Sequence, residues 1–194
     1  MKKLGIVYFS ATGTTKALAK AIEEGANEIE NTQVRLFPIG KEQLVDGRFV
    51  DLAVLSKLGE CDAIVFGSPT YMGGVASQFK AFADATSELW CEQLWANKLA
   101  AGFTCGSALN GDQSSTLYYM ITLACQHGML WVSVDAAHGY TKKNINRLGS
   151  QLGVVAQTTS ESLHEIDLAT AHYLGKRIAG LLNEKTRVPL LHDE

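Results

Sequence analysis

Several absences narrow the chemistry open to this chain before any motif is read. It has no Lys/Arg stripe and no basic run, and its net charge is −3 over 194 residues. That argues against nucleic acid or an anionic membrane as the main partner. No apolar run approaches the ~20 residues of a membrane span. The four cysteines, Cys61, Cys91, Cys105 and Cys125, lie far apart. With no CxxC and no Cys/His pairing, no metal site is expected. Met1-Lys2-Lys3 leads into six mostly apolar residues, too few for the core of a signal peptide. The expectation is a cytoplasmic protein with reduced cysteines.

The common phosphate-binding signatures are missing too. No G-x-G-x-x-G follows the first apolar run, which disfavours a dinucleotide site, and no G-x-x-x-x-G-K-[ST] is present, which disfavours a nucleoside triphosphatase. Tyr8-Phe9-Ser10 lacks the acids of a phosphoacceptor site. What stands there instead is Ser10-Ala11-Thr12-Gly13-Thr14-Thr15, four hydroxyls and a glycine without acid or base. Between a strand and a helix, such a loop offers N–H and O–H donors to an anion, at the positive end of the helix dipole.

Five apolar runs read as strands: Leu4–Phe9, Val34–Ile39, Ala63–Gly67, Leu99–Thr104 and Leu130–Val134. They are continuous rather than alternating, as a parallel sheet covered on both faces requires. Val154–Gln157 is a candidate sixth. Helical periods lie between them. Ala17, Leu18, Ala21, Ile22, Ala26 and Ile29 form one face; Val75, Phe79, Phe82, Ala83, Thr86 and Trp90 a second; Leu117, Met120, Ile121 and Ala124 a third, closed by Gly128. A shorter helix is expected near Val50–Leu58 and a long one from Glu161 to Asn183. This alternation predicts a doubly wound α/β fold in one domain, residues 1–183, with a tail at 184–194.

Ligands of open α/β sheets bind beyond the carboxyl ends of the strands, where the strand order reverses. Three loops lie at such ends. Ser10–Thr15 suits a phosphate. Ser68–Gly74 carries Pro69, Thr70, Tyr71 and Met72 beside Gly73 and Gly74, and suits a flat ring approached by backbone. Cys105–Asp112 is small and polar, a source of N–H donors for a heterocycle. Phosphate at one end and a ring at the other describe a mononucleotide-type cofactor.

These pieces resemble the flavodoxin superfamily, and most closely the WrbA-like NAD(P)H:quinone oxidoreductases. The matching segments are Ser10-Ala-Thr-Gly-Thr-Thr15, Gly67-Ser-Pro-Thr-Tyr-Met-Gly73, Phe79-Lys-Ala-Phe-Ala-Asp84, Leu89-Trp90, Lys98-Leu-Ala100 and His127-Gly-Met129, in the family's order. The resemblance implies a flavodoxin-like five-stranded parallel sheet of order 2-1-3-4-5 that binds FMN. It implies that Ser10, Thr12, Gly13, Thr14 and Thr15 hold the FMN phosphate. Pro69, Thr70, Tyr71, Met72, Gly73 and Gly74 would line the isoalloxazine. Thr104, Cys105, Gly106, Ser107, Asn110 and Gly111 would hold its pyrimidine side. His127 matches the family's histidine near the reactive flavin face and is the expected catalytic residue. As the end of a helix it is expected to favour the protonated form. Trp90 matches a tryptophan that approaches a neighbouring subunit's flavin in oligomeric members.

The function so implied is two-electron transfer from NAD(P)H to a quinone through FMN, by ping-pong hydride exchange, in a homodimer or homotetramer. The alternatives are a flavodoxin-type electron carrier and an FMN-dependent azo- or nitroreductase. The modest charge fits a carrier poorly. Trp95 and Val188–Leu191 are further candidate contacts between copies, and His138 and Tyr140 candidate entrance residues. Lys142, Lys143 and Arg147 are read as a solvated surface.

Overall fold

A computed structural model describes residues 1–137, 144–159 and 162–184. His138, Tyr140, Lys142, Lys143 and Val188–Leu191 lie outside the described residues.

The parallel sheet is built from β1 (Lys2–Tyr8), β2 (Thr32–Pro38), β5 (Ala63–Tyr71) and β7 (Leu99–Gly106), in the order β2-β1-β5-β7. Each pair runs parallel, with Ile6 opposite Leu36 and Val65, and Val65 opposite Ala101. The fifth position is shared by two segments, and here the expected strand Leu130–Val134 is corrected. Only β8 (Leu130–Trp131) pairs there, beside Leu99 and Ala100, and β9 (Val154–Gln157) takes up the same row beside Phe103–Gly106. The chain between them leaves the sheet and returns. The five-position flavodoxin-like order expected from the sequence is therefore present, with its last strand interrupted. A minor hairpin, β3 (Leu44–Val45) and β4 (Arg48–Phe49), lies between β2 and the next helix.

Side chains of each central strand alternate between two cores. Ile6 and Val65 face α1 (Thr14–Asn27) and α6 (Glu165–Glu184), packing with Leu18, Ile22, Leu174 and Ile178. Val7, Ile64 and Phe66 face α2 (Leu52–Gly59), α3 (Ser77–Ala85) and α5 (Gln113–Gln126), packing with Leu58, Phe79, Phe82, Leu117 and Met120. The single helix expected up to Trp90 is broken at Thr86, whose hydroxyl donates to the Ala83 carbonyl; α4 (Ser87–Cys91) then starts on a new axis.

α1 and α6 meet at two glycines. A Cβ on Gly175 would fall 1.9 Å from the Ile22 carbonyl oxygen, and one on Gly25 1.9 Å from that of His172. Backbone cannot yield as a flexible side chain does, so this crossing admits no larger residue. Gly180, one and a half turns further along α6, has nothing within 4 Å of its Cβ position.

The two sites give opposite outcomes for one chemical change. Gly175→Ala should destabilise by at least about 1–3 kcal/mol through overpacking. Gly180→Ala should stabilise by about 0.5–1 kcal/mol through helix propensity and a less flexible unfolded chain. Thermal melts of both variants followed by circular dichroism check the sign; equal shifts would contradict the packing.

Candidate functional site

The three predicted loops do converge at the carboxyl edge, on either side of the β1/β5 boundary where the strand order reverses. Loop one turns on Gly13, at φ 94°, ψ −15°. That left-handed conformation suits glycine, and it starts α1 without a clash. Ser10 serves the cap from three residues upstream: its Oγ accepts from the amides of Gly13 at 3.1 Å and Lys16 at 3.2 Å. The amides of Thr14 and Thr15 precede any acceptor within the helix. The first turn of α1 holds no acidic residue. Thr12 and Thr14 set their hydroxyls 3.2 Å apart on the exposed rim.

The four hydroxyls therefore divide. Ser10 builds the loop. Thr15 is buried, its Oγ1 3.4 Å from Cys105 Sγ, and contributes its amide rather than its hydroxyl. Thr12 and Thr14 remain free to meet a ligand. This is an anion cradle of backbone amides, two hydroxyls and a helix end, and it suits a phosphate.

Loop two is a β-hairpin rather than an irregular loop, because β5 runs on to Tyr71 and returns as β6 (Gly74–Val75). Met72 at φ 48° and Gly73 at φ 75° form the two-residue turn. Positive φ at both positions matches the right-handed twist of the strands. The base of the hairpin is fixed by buried Ser68, whose Oγ accepts from the Ala76 amide at 2.9 Å. Thr70 Oγ1 lies 2.8 Å from the hydroxyls of both Thr104 and Thr116. Pro69 is buried, whereas Tyr71, Met72 and Gly73 are exposed. So Tyr71, Met72, Gly73 and Gly74 form a projecting wall, and the Thr70 and Thr104 side chains brace it from behind.

Loop three starts later than expected, since β7 runs past Thr104 to include Cys105 and Gly106. Thr104 and Cys105 are buried, so they can reach a ligand only by backbone atoms; burial pushes the Cys105 thiol up, and the Thr15 hydroxyl only partly opposes this. Ser107–Asn110 are exposed and followed by Gly111. Gln113, which sequence reasoning missed, staples them: its Oε1 accepts from the Gly111 amide at 2.6 Å and its Nε2 donates to the Ala108 carbonyl at 2.7 Å. Nothing in the local pattern marked this buried amide as a clamp.

His127 is not with these loops. It caps α5, whose 14 residues begin at loop three. At 1.5 Å per residue the two ends lie about 20 Å apart, so His127 cannot reach the cradle of its own chain. Its ring is 1% exposed, stacks on buried Trp95 at 4.5 Å between centroids, and places Nε2 2.9 Å from the Thr86 hydroxyl. Its Nδ1 has no partner among the described residues. The protonated state expected at a helix end is corrected: burial lowers the pKa from 6.5 to about 4, and desolvation outweighs the dipole.

Two further expectations change. Trp95 is fully buried and cannot be a contact between copies, whereas Trp90 is 44% exposed. Arg147 is not a solvated cation: it forms a two-pronged ion pair with buried Asp167, both contacts at 2.8 Å. Among the described residues no cluster could hold a metal, and no helix is long and apolar enough to cross a membrane.

Residues 2–141 match the family of NADPH-dependent FMN reductases. Flavodoxin FldP of Pseudomonas aeruginosa is 40% identical over 187 residues, spanning 92% of this chain and 96% of that protein. Quinone-oxidoreductase QR2 of Triphysaria versicolor is 33% identical over 193 residues, spanning 92% and 94%. The crystal structure of a flavodoxin, WrbA-like protein from Agrobacterium tumefaciens matches with a TM-score of 0.74 at 35% identity, covering 95% of this chain and 99% of that one.

The neutral, buried imidazole has a measurable cost in acid. The unfolded chain takes up a proton near 6.5 and the folded chain only near 4, so stability present above pH 6.5 is lost as pH falls towards 4. Relative to His127→Gln, the native chain should lose an extra 2–3 kcal/mol, roughly, over that window. Urea unfolding at stepped pH measures this; parallel profiles would show that His127 titrates normally.

Proposed function

The chain belongs to the family of NADPH-dependent FMN reductases, and from that premise we propose that it is an FMN-dependent NAD(P)H:quinone oxidoreductase. The observation that carries this reading is the acid-free start of α1, where the Thr14 and Thr15 amides precede any intrahelical acceptor and Gly13 turns the chain in the left-handed region. A monophosphate fits there without a paired cation. The bound FMN supplies hydride acceptance from NAD(P)H and delivery of two electrons to the quinone in alternating half-reactions.

The chain's own part is to bind and orient. Ser10 holds loop one closed through the Gly13 amide; Thr14 and Thr15 offer their amides, and Thr12 and Thr14 their hydroxyls, to the phosphate. Pro69, Thr70, Tyr71, Met72, Gly73 and Gly74 form the wall beside the ring. Ser107 to Gly111 would line its pyrimidine edge with Gln113 fixing the loop, while Thr104, Cys105 and Gly106 lie behind them in β7. Lys16 is dispensable. Tyr71 and Met72 are exposed and would leave room beside this wall for a donor and an acceptor in turn.

The working form is a homodimer or homotetramer in the cytoplasm. Supporting it is a hollow of about 290 Å³ between α3, α4 and α5, lined by Trp90, Tyr119, Leu123, Thr86 and His127. With its own cradle at the far end of α5, His127 can act on a flavin only if a second copy presents one at this hollow. A carrier role is the second reading, favoured by the 40% identity to a protein named as a flavodoxin. Steady-state oxidation of NADH or NADPH with benzoquinone separates the two: turnover supports the enzyme, and its absence together with a stable one-electron flavin radical supports the carrier.

Thr14→Asp tests the cradle itself. An acid in the first turn favours the helix dipole by about 0.3–1 kcal/mol, so the fold should persist or gain. The same charge opposes the phosphate, and FMN affinity should fall by roughly 100-fold or more. Fluorescence titration of the apoprotein checks this. A folded variant that stays fully yellow would remove the phosphate assignment.

A further inference from the structure

The ion pair of Arg147 and Asp167 stands beside loop three, outside every role assigned above. Asp167 is 1% exposed, in the first turn of α6, where the helix dipole favours its charge. Arg147 grips it through Nε on Oδ1 and Nη2 on Oδ2. The same Oδ2 accepts the backbone amide of Gln157 at 3.0 Å, in the last residue of β9. Gln157 in turn donates Nε2 to the Ser107 carbonyl at 3.3 Å, and the next amide, Thr158, donates to the Gly106 carbonyl at 2.8 Å. Arg147 Nη2 stands 3.5 Å from Gln157 Oε1, on the side that leaves Nε2 facing Ser107. Neighbouring Asn146 is tied to α6 as well, its amide donating to Thr170 Oγ1 at 2.7 Å.

These contacts decide where the donors of loop three point. In a planar trans peptide, the carbonyl and the following N–H are antiparallel. Holding the Ser107 carbonyl on Gln157 turns the Ala108 N–H away from β9. Holding the Ala108 carbonyl on Gln113 turns the Leu109 N–H away from α5. Two amides of an exposed loop are thus aimed by side chains behind it. From this we infer that Arg147 and Asp167, acting through Gln157, are positioning residues that orient the loop-three amides toward the pyrimidine edge of the flavin and so set flavin affinity and midpoint potential. The inference rests on the reading that loop three lies along that edge. Reduction adds negative charge there, so aimed donors favour the reduced flavin more than the oxidised one.

Four variants test this with the full chain. Gln157→Ala removes the Ser107 contact and keeps the backbone pairing of β9. It should weaken oxidised FMN binding by about fivefold to tenfold, read by fluorescence titration, as expected for one lost hydrogen bond. It should weaken reduced FMN binding further, with the midpoint moving negative by about 30 mV for each additional tenfold. Asp167→Asn should repeat both effects. Asn183→Ala, on the far part of α6, should lower the melting temperature without moving either flavin readout; it separates positioning from loss of stability. Unchanged FMN affinity and potential in Gln157→Ala and Asp167→Asn would overturn the proposal. Ala108→Pro, which deletes one of the aimed amides, tests the underlying reading: if it binds FMN normally, loop three is not at the ring and the proposal falls with it. If it loses affinity while Gln157→Ala does not, the loop assignment stands and the positioning role alone is wrong.

Discussion

A parallel sheet must bring the chain back to the same edge after every strand, and this return is what assembles the site. Crossovers over α2 and over α3 and α4 bring β5 and β7 back parallel to β1, so the loops that open α1, α3 and α5 lie at one edge, and the reversal between β1 and β5 parts loop one from loops two and three. The same geometry sends the other end of each helix to the opposite edge. It therefore explains both what is gathered and what is kept apart. Ser10–Thr15 and Ser107–Gly111 share one edge because β1 and β7 both run parallel to β5, which lies between them. His127 stands about 20 Å away because α5 runs back down the sheet.

Much of this was legible in the residues. Continuous apolar runs identified buried parallel strands, and a hydroxyl-rich loop without acids marked where α1 starts at the carboxyl edge. The division of labour among those hydroxyls was not legible. Whether Ser10 or Thr15 faces a ligand depends on the turn at Gly13 and on the neighbour that β7 supplies, Cys105, ninety positions away. The clamps at Gln113 and Gln157 were also hidden, since an amide side chain leaves no periodic trace. The displaced histidine was within reach: a residue closing the helix after loop three must lie at the far edge of a parallel sheet. The interrupted fifth strand escaped because Val132 and Val134 are as apolar as a strand requires, yet they join the core from outside it.

Electrostatics at the two ends of α1 and α5 follow one rule with opposite results. At the start of α1, amides face solvent, so a helix dipole and hydroxyls can hold an anion without any buried cation. At the end of α5, the imidazole is enclosed by Trp95 and Thr86, and the dipole that favours a cation loses to desolvation. Arg147 and Asp167 show the third solution: a buried carboxylate met by a two-pronged guanidinium, a backbone amide and a helix start together.

The hairpin at the rim points to contacts beyond the chain. A turn of this type favours Asn-Gly, because both central residues need positive φ. Here the first is Met72, at φ 48°. An unbranched non-glycine residue in that region costs about 1 kcal/mol or more. Burial could offset the cost, but Met72 is 104% exposed and Tyr71 beside it 49% exposed. Leu109, in loop three, is 61% exposed. Stability of the isolated chain accounts for none of these three. A soft thioether, a phenol and an isobutyl group around an open crevice suit a flat apolar ring that comes and goes, or the face of another copy. The strained turn at Met72 and the acid-free start of α1 thus stand at one edge of the sheet, and packing within the chain explains neither.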